Sequence, residues 1–110
     1  MKIKICGITN IEDAVAAINA GADMLGYNFY PKSKRYISIN ECVEIQTELV
    51  ERGLDAITVG VFVNASYETI INTLEICALD LVQLHGDESP KLLEELGKFA
   101  FKAIRPQSKA

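Results

Sequence analysis

The sequence lacks the features that mark several classes of protein. It has no run of about 20 apolar residues such as a membrane span needs, and its first residues form no apolar segment with a cleavage site. It has no tryptophan, one histidine (His85), and three widely spaced cysteines without CxxC pairing. Neither a disulfide framework nor a zinc site is therefore predicted. We expect a reduced, cytoplasmic protein with no secretory signal and no membrane contact.

An excess of basic residues is also missing. The 11 Lys and Arg are outnumbered by 15 Asp and Glu, which gives a formal net charge of -4. Nucleic acid is not an expected partner, because its phosphates would repel such a surface. The composition, with 49% hydrophobic and 24% charged residues over 110 positions, is typical of one folded domain that buries a core.

Strand-like and helix-like segments alternate along the chain. Strands are predicted at residues 2–6, 24–29, 57–63, 81–85 and 101–104, and helices follow the first four of them. Capping-box spacings place helix starts at Thr9 with Glu12 and at Ser38 with Glu41. Gly21 and Gly53 are predicted to end the first two helices. Pro90, after Ser89, opens a fourth helix that runs to about residue 97.

Strands joined by helical crossovers run parallel, which leaves an open doubly wound sheet or a (β/α)8 barrel. The first, second and fourth predicted strands each set an apolar face against a mixed, partly polar one. This pattern favours the barrel, whose outer side packs on helices and whose inner side lines a site. A barrel needs at least about 200 residues, so the prediction is α/β, half of a TIM barrel: about four βα units plus the start of a fifth strand, all within one domain, 1–110.

Catalytic groups of barrels lie at the carboxyl ends of the strands. The candidates there are Cys6, Arg35 in the 30–36 loop, Asn64, Gln83 and His85. Each has a plainer interpretation. The cysteine is as readily an inert buried residue, the arginine part of a solvated basic loop, and the histidine a hydrogen-bonded structural residue. No metal-ligand spacing, GxGxxG motif or P-loop is present, which weakens a third alternative, an open flavodoxin-like nucleotide binder.

Four motifs in register decide between these interpretations: 4–10 (KICGITN), 30–37 (YPKSKRYI), 59–64 (VGVFVN) and 82–86 (VQLHG). Together they closely resemble the phosphoribosylanthranilate isomerase family of tryptophan biosynthesis, over essentially the whole chain. The resemblance implies a (β/α)8 barrel and an Amadori rearrangement of N-(5-phosphoribosyl)anthranilate without a cofactor. It implies that Cys6 is the general base and that Arg35 holds the anthranilate carboxylate. Gln83 and His85 are predicted to bind substrate as well.

The same resemblance identifies two elements that this sequence does not contain. The family's general acid is an aspartate on a later strand, and its phosphate site lies in the last two βα loops. We therefore expect the N-terminal half of such an enzyme, weakly active or inactive alone. The alternative is a non-catalytic half-barrel that assembles with itself or with a C-terminal half. A homodimer is expected because Met24, Phe62 and Leu81 are predicted to leave an uncovered inner face.

Overall fold

The computed structural model describes residues 3–84, Leu92, Glu94 and the backbone of 100–102. It contains strands β1 (Lys4–Cys6), β2 (Met24–Asn28), β3 (Ile57–Phe62), β4 (Leu81–Leu84) and β5 (Ala100–Lys102). The helices are α1 (Ile11–Asn19), α2 (Ile39–Glu51) and α3 (Tyr67–Cys77). Most of the predicted fourth helix lies outside the described residues, although Leu92 and Glu94 are helical. None of the helices described here is long and apolar enough to span a membrane.

The five strands form one parallel sheet in the order β1-β2-β3-β4-β5. A doubly wound sheet reverses its strand order at a switch point, and the described strands show no such reversal. Since parallel crossovers share one hand, a sequential order places the connecting helices on the same face of the sheet. The predicted α/β alternation, with helices outside and a concave face inside, is confirmed.

Local capping explains where the helices begin and end. Ser38 caps α2, and Glu41 completes the predicted capping box. The prediction for α1 was wrong by one residue: Asn10, not Thr9, is the cap, and its side chain accepts a hydrogen bond from the Asp13 backbone N–H. Asparagine is at least as good a cap as threonine. Both predicted glycines follow their helices with positive φ, 99° at Gly21 and 69° at Gly53.

Apolar side chains pack between the helices and the outer face of the sheet in two clusters. The first lies under α1 and α2 and includes Leu25 and Tyr27. The second lies under α3 and contains Phe62, Val82 and Leu84. In it the Phe62 ring stacks on Phe29 with centroids 5.3 Å apart. These clusters hold the helices against the outer face, so alternate side chains of the strands point to the inner face.

The predicted uncovered inner face is wrong in one respect. Phe62, expected there, is paired in register with Leu84 and is buried on the outer face. On the inner face Val59 and Val61 are also buried, with 0% and 5% of their surface exposed, whereas Met24 and Leu81 are half-buried. The middle of the inner face is therefore covered within this chain, whereas Cys6 on the same face is exposed.

Apolar surface is exposed instead on the outer side of β1, at one edge of the sheet. Ile3 and Ile5 expose 46% and 41% of their surface, because neither α1 nor any other described element covers them. A groove of about 360 Å³ runs beside them. Its opposite wall is formed by small side chains, those of Ala16, Ala17, Ala20 and Ala22.

The amino ends of the strands are joined by aspartate side chains. Asp23 precedes β2 and its Oδ2 accepts the Ile3 backbone N–H at 2.9 Å. Asp80 precedes β4 and its Oδ2 accepts the Thr58 backbone N–H at 2.9 Å and the Thr58 hydroxyl at 3.2 Å. Each carboxylate thus accepts a hydrogen bond from a backbone N–H at the amino end of the preceding strand, where that N–H has no partner in the sheet.

Candidate active site

Cys6 ends β1 and is exposed, which excludes the inert buried cysteine. It is paired in register with Gly26 of β2. A Cβ at Gly26 would lie 3.0 Å from the Cys6 Sγ, so the absence of a side chain there gives the thiol its space. The sulfur therefore lies on the inner side of the sheet, at the carboxyl ends of the strands.

Arg35 lies beside Cys6 because of the glycine that follows the cysteine. Gly7 has a φ of 82°, and a Cβ on it would come within 2.3 Å of the Arg35 Cδ. The guanidinium stem thus packs directly over the Gly7 backbone, in space that any side chain would fill. Cys6 and Arg35 are therefore neighbours, with Arg35 lining the groove beside Ile3 and Ile5; the role of each remains a prediction.

The loop that carries Arg35 is ordered by short-range hydrogen bonds. The Asn28 side chain accepts the Tyr30 N–H at 2.9 Å, and the Ser33 hydroxyl accepts the Arg35 N–H at 3.1 Å. Beyond them, the Ile37 N–H donates to the Asn28 carbonyl at 2.9 Å, and the Ile37 side chain is 1% exposed. Both ends of the loop are therefore anchored to β2, which limits where the arginine can move.

An open pocket of about 540 Å³ lies where these elements meet. A pocket of this size suits a small organic molecule. Thiol, amide and hydroxyl groups provide polar contacts, while two valines provide an apolar wall. Its lining residues are Cys6, Gly7, Asn28, Tyr30, Ser33, Val61 and Val63.

The remaining predicted site residues are distributed differently. Gln83 lies on the inner face, 6% exposed, and its Oε1 accepts a hydrogen bond from the Lys4 Nζ of β1. Asn64 follows β3 in a left-handed conformation (φ 52°) and does not line the pocket. His85 lies outside the described residues.

Burial separates the three cysteines chemically. Cys42 and Cys77 are 0% and 1% exposed, and burial raises the pKa of both thiols. They lie with Tyr27 in the first apolar cluster, under α1 and α2, and burial raises the pKa of the tyrosine hydroxyl as well. Cys6 is the only exposed thiol. Within the described part of the chain, no group of three His, Cys, Asp or Glu side chains could hold a metal ion.

Sequence reasoning missed two contributors to this region. Asn28 lies on the mixed, partly polar face of the second predicted strand and is not among the candidate site residues, yet it lines the pocket and orders the loop. Its position two residues before Tyr30 was the available signal, since an asparagine there can accept that backbone N–H. Lys4 lies on the mixed, partly polar face of the first predicted strand and is not among the candidates either. Its contact with Gln83 depends on the curvature of the sheet, which no local pattern indicates.

A sequential parallel sheet with outer helices and a pocket at its carboxyl edge defines the α/β-barrel class. The model of the N-(5'-phosphoribosyl)anthranilate isomerase family matches residues 3–109. The isomerase of Myxococcus xanthus is 44% identical over 105 residues, which cover 96% of this chain and 48% of the relative. That of Pseudomonas putida is 47% identical over 96% of this chain and 50% of the relative. The chain belongs to the phosphoribosylanthranilate isomerase family.

Solved structures agree with this assignment. The isomerase of Thermotoga maritima superposes with a TM-score of 0.86 at 42% identity, covering 94% of this chain and 50% of that one. A structure of a phosphoribosylanthranilate isomerase in complex with reduced 1-(o-carboxyphenylamino)-1-deoxyribulose 5-phosphate also matches with a TM-score of 0.86. The chain spans about half the length of the relatives it matches.

Proposed function

We propose that this chain supplies the base-bearing half of a phosphoribosylanthranilate isomerase site, without a cofactor. One observation carries the proposal: the exposed Cys6 thiol and the Arg35 side chain adjoin each other across Gly7 at the carboxyl edge of the sheet. The substrate, N-(5-phosphoribosyl)anthranilate, offers a carbon acid and a carboxylate, which call for a base and a cation close together. The proposed cytoplasmic location follows from the biosynthetic role and the reduced cysteines.

In the proposed reaction, protonation of the ribose ring oxygen opens the sugar to a Schiff base. The Cys6 thiolate then takes the proton from C2, and the resulting enolamine tautomerises to the ketone. Atoms and electrons balance within the substrate, so no oxidant or reductant is required. The absence of a side chain at Gly26 supports this role, since it leaves the sulfur accessible from the pocket.

The proposed role of Arg35 is to hold the anthranilate carboxylate. A guanidinium can bind a carboxylate through two parallel hydrogen bonds, which fixes orientation as well as position. The anchored ends of its loop support this role, because a preorganised arginine loses less conformational entropy when substrate binds. For Gln83 and His85 the proposed contact with substrate rests on their place at the end of the fourth strand.

The proposed general acid and phosphate loops belong to later strands than the five described here. We therefore propose that the partner is a C-terminal half of the same fold. The alternative partner is a second copy of this chain. The exposed outer side of β1 supports either, because parallel sheets are normally covered on both faces. Ile3 and Ile5 beside the alanine-lined groove would receive an apolar helix from that partner.

The test is an isomerase assay on the purified chain, alone and mixed with the C-terminal half of a full-length relative. The chain alone is expected to show little turnover, because losing a positioned acid typically costs about 10²–10⁴-fold. The mixture is expected to gain activity that depends on Cys6. Full turnover by the chain alone would contradict the proposal that the general acid is supplied by the other half. No turnover in a mixture that demonstrably forms a complex would contradict the proposed function.

Mass in solution decides between the two partners. Ile5→Lys, which places a charge in the groove, should weaken association with either partner. Val50→Lys is the matched control, because Val50 is 76% exposed on α2, away from this edge. A chain that stays monomeric alone but binds the added half would exclude the homodimer. Association unaffected by Ile5→Lys would place the interface elsewhere.

A further inference from the structure

Asn28 lies on the inner face of the sheet, close to Cys6. It is two residues beyond Gly26, the partner of Cys6 in the β1–β2 pair, so its side chain points to the same face. Strand spacing places its Cα about 8 Å from that of Cys6. Asn28 is half-buried and lines the pocket of about 540 Å³ together with the cysteine. It is therefore within reach of a small molecule that contacts the thiol.

The two polar atoms of the Asn28 side chain have different surroundings. Its Oδ1 accepts the Tyr30 backbone N–H at 2.9 Å. An N–H can only donate, so the atom that faces it is the oxygen, and the NH2 group occupies the other end of the planar amide. Within the described part of the chain this NH2 group has no hydrogen-bond partner. The loop thus holds the amide in one orientation and leaves its two donor hydrogens available.

Two cavities meet at Cys6, and they contain different polar groups. Arg35 lines the groove of about 360 Å³ on the outer side of β1, whereas Asn28 lines the pocket on the inner side; Cys6 lines both. A molecule that has its reacting carbon at the thiol and its carboxylate on Arg35 therefore extends its other end toward Asn28. In N-(5-phosphoribosyl)anthranilate, that other end is the ribose chain beyond C2.

We propose that Asn28 binds the sugar part of the substrate: its NH2 group donates a hydrogen bond to a ribose hydroxyl beyond C2. The proposal rests on the proposed function, which places C2 at Cys6 and the carboxylate at Arg35. A neutral amide donor suits an uncharged hydroxyl oxygen, whereas a guanidinium suits a carboxylate. Because the loop already fixes the amide, little conformational entropy is lost when the sugar binds.

The test is an NMR titration that follows the side-chain NH2 signals of Asn28 in the isotope-labelled chain, with no partner half present. The probe is reduced 1-(o-carboxyphenylamino)-1-deoxyribulose, the ligand of the related complex without its phosphate. Anthranilate is the comparison ligand, because it has the same single carboxylate but no sugar. At millimolar concentrations the probe should move the Asn28 NH2 proton signals downfield, and anthranilate should not.

Asn28→Asp separates the donor from the loop contact. An aspartate keeps an oxygen for the Tyr30 N–H but has no NH2 group. It should weaken binding of the probe by about threefold to tenfold, the effect of losing one hydrogen bond, and leave anthranilate binding nearly unchanged. Equal weakening of both ligands would indicate charge repulsion and overturn the proposal. Asn72→Asp is the matched control, because it makes the same change at an exposed position of α3 and should affect neither ligand.

The parent chain alone is sufficient to decide the outcome if Asn28→Asp does not fold. The proposal is overturned if the probe leaves the Asn28 NH2 signals unchanged, or if anthranilate moves them equally. It can also fail separately from the proposed function. Shifted Asn28 signals together with an inactive reconstituted assembly would retain the sugar contact and contradict the isomerase function. Turnover that depends on Cys6, with unchanged Asn28 signals, would retain the function and remove the role of Asn28.

Discussion

The two ends of the parallel sheet use their polar side chains in opposite ways. At the amino end, the carboxylates of Asp23 and Asp80 are bound to backbone N–H groups of the preceding strands. At the carboxyl end, the thiol of Cys6 and the guanidinium of Arg35 lie beside open pockets. The amino end therefore stabilises the sheet, while the carboxyl end leaves reactive groups accessible, as expected for the barrel class.

The amino end also shows that the chain repeats one structural unit. In register, Asp23 stands opposite Ile3 in the β1–β2 pair as Asp80 stands opposite Thr58 in the β3–β4 pair. The carboxyl end shows no such repetition. Three residues after Ile3 the chain has Cys6, whereas three residues after Thr58 it has Val61. The repeated residues stabilise the sheet, whereas the position that differs carries the proposed base, Cys6.

The largest expected effect concerns Cys6 and turnover. In a reconstituted assembly, Cys6→Ser should lower kcat by about 10²–10⁴-fold, because a hydroxyl is too weakly acidic to replace the thiolate as base. Substrate binding should change little, since Arg35 is untouched. Steady-state kinetics of both proteins would check this, and an unchanged kcat would show that the base lies elsewhere.

The second effect concerns stability at the amino end. Asp80→Ala should lower the free energy of unfolding by about 1–2 kcal/mol, because the Thr58 N–H and hydroxyl lose their acceptor. Thr58 is 5% exposed, so water cannot readily replace the carboxylate. Urea unfolding would measure the change. Asp55→Ala removes an exposed carboxylate at the same edge and should have little effect; an equal loss in both variants would indicate a general charge effect.

The third effect is a loss of stability at high pH. Burial raises the pKa values of Cys42, Cys77 and Tyr27 in the folded state, above the ordinary values of 9.0 for a thiol and 10.0 for a tyrosine. These groups ionise first in the unfolded chain, so stability present at neutral pH should decline as pH rises above about 9. Urea unfolding between pH 7 and pH 11 would follow the decline.

Tyr27→Phe provides the control for that decline. The variant should be less stable at pH 7, because the Gln46 Oε1 loses the hydroxyl that donates to it at 2.9 Å. Above pH 10, however, its stability should fall less steeply than that of the parent. Identical slopes would show that the tyrosine does not contribute to the pH dependence.

How far the sequence predicts the structure depends on how local each interaction is. The strand–helix alternation and the Ser38–Glu41 capping box were predicted correctly, since each depends on residues a few positions apart. The Thr9 cap failed because two adjacent residues, Thr9 and Asn10, can both cap a helix. The predicted side of the sheet for Phe62 was wrong because β3 is buried on both faces, so an apolar residue is accepted on either side.

The candidate site shows the same limit more sharply. Cys6 and the loop of Arg35 could be predicted from strand ends and motif resemblance. Their place at the same end of the sheet could be predicted as well, but the packing of the arginine over Gly7 could not, since it depends on the pairing of β1 and β2. The Lys4–Gln83 contact joins residues 79 positions apart and requires the curvature of the whole sheet. Local patterns identify which residues are available, whereas tertiary packing decides which of them meet.

The account holds that the amino end of the sheet stabilises the fold, whereas the carboxyl end leaves reactive groups accessible. The most direct test of this difference is the free energy of unfolding of Cys6→Ala. The account predicts a change within about 0.5 kcal/mol of the parent, as for a surface substitution, because the exposed thiol is not part of the packed core. A loss of about 2 kcal/mol or more, comparable to deleting a buried side chain, would contradict it. Cys6 would then be a packing residue, and the carboxyl end would stabilise the fold as the amino end does.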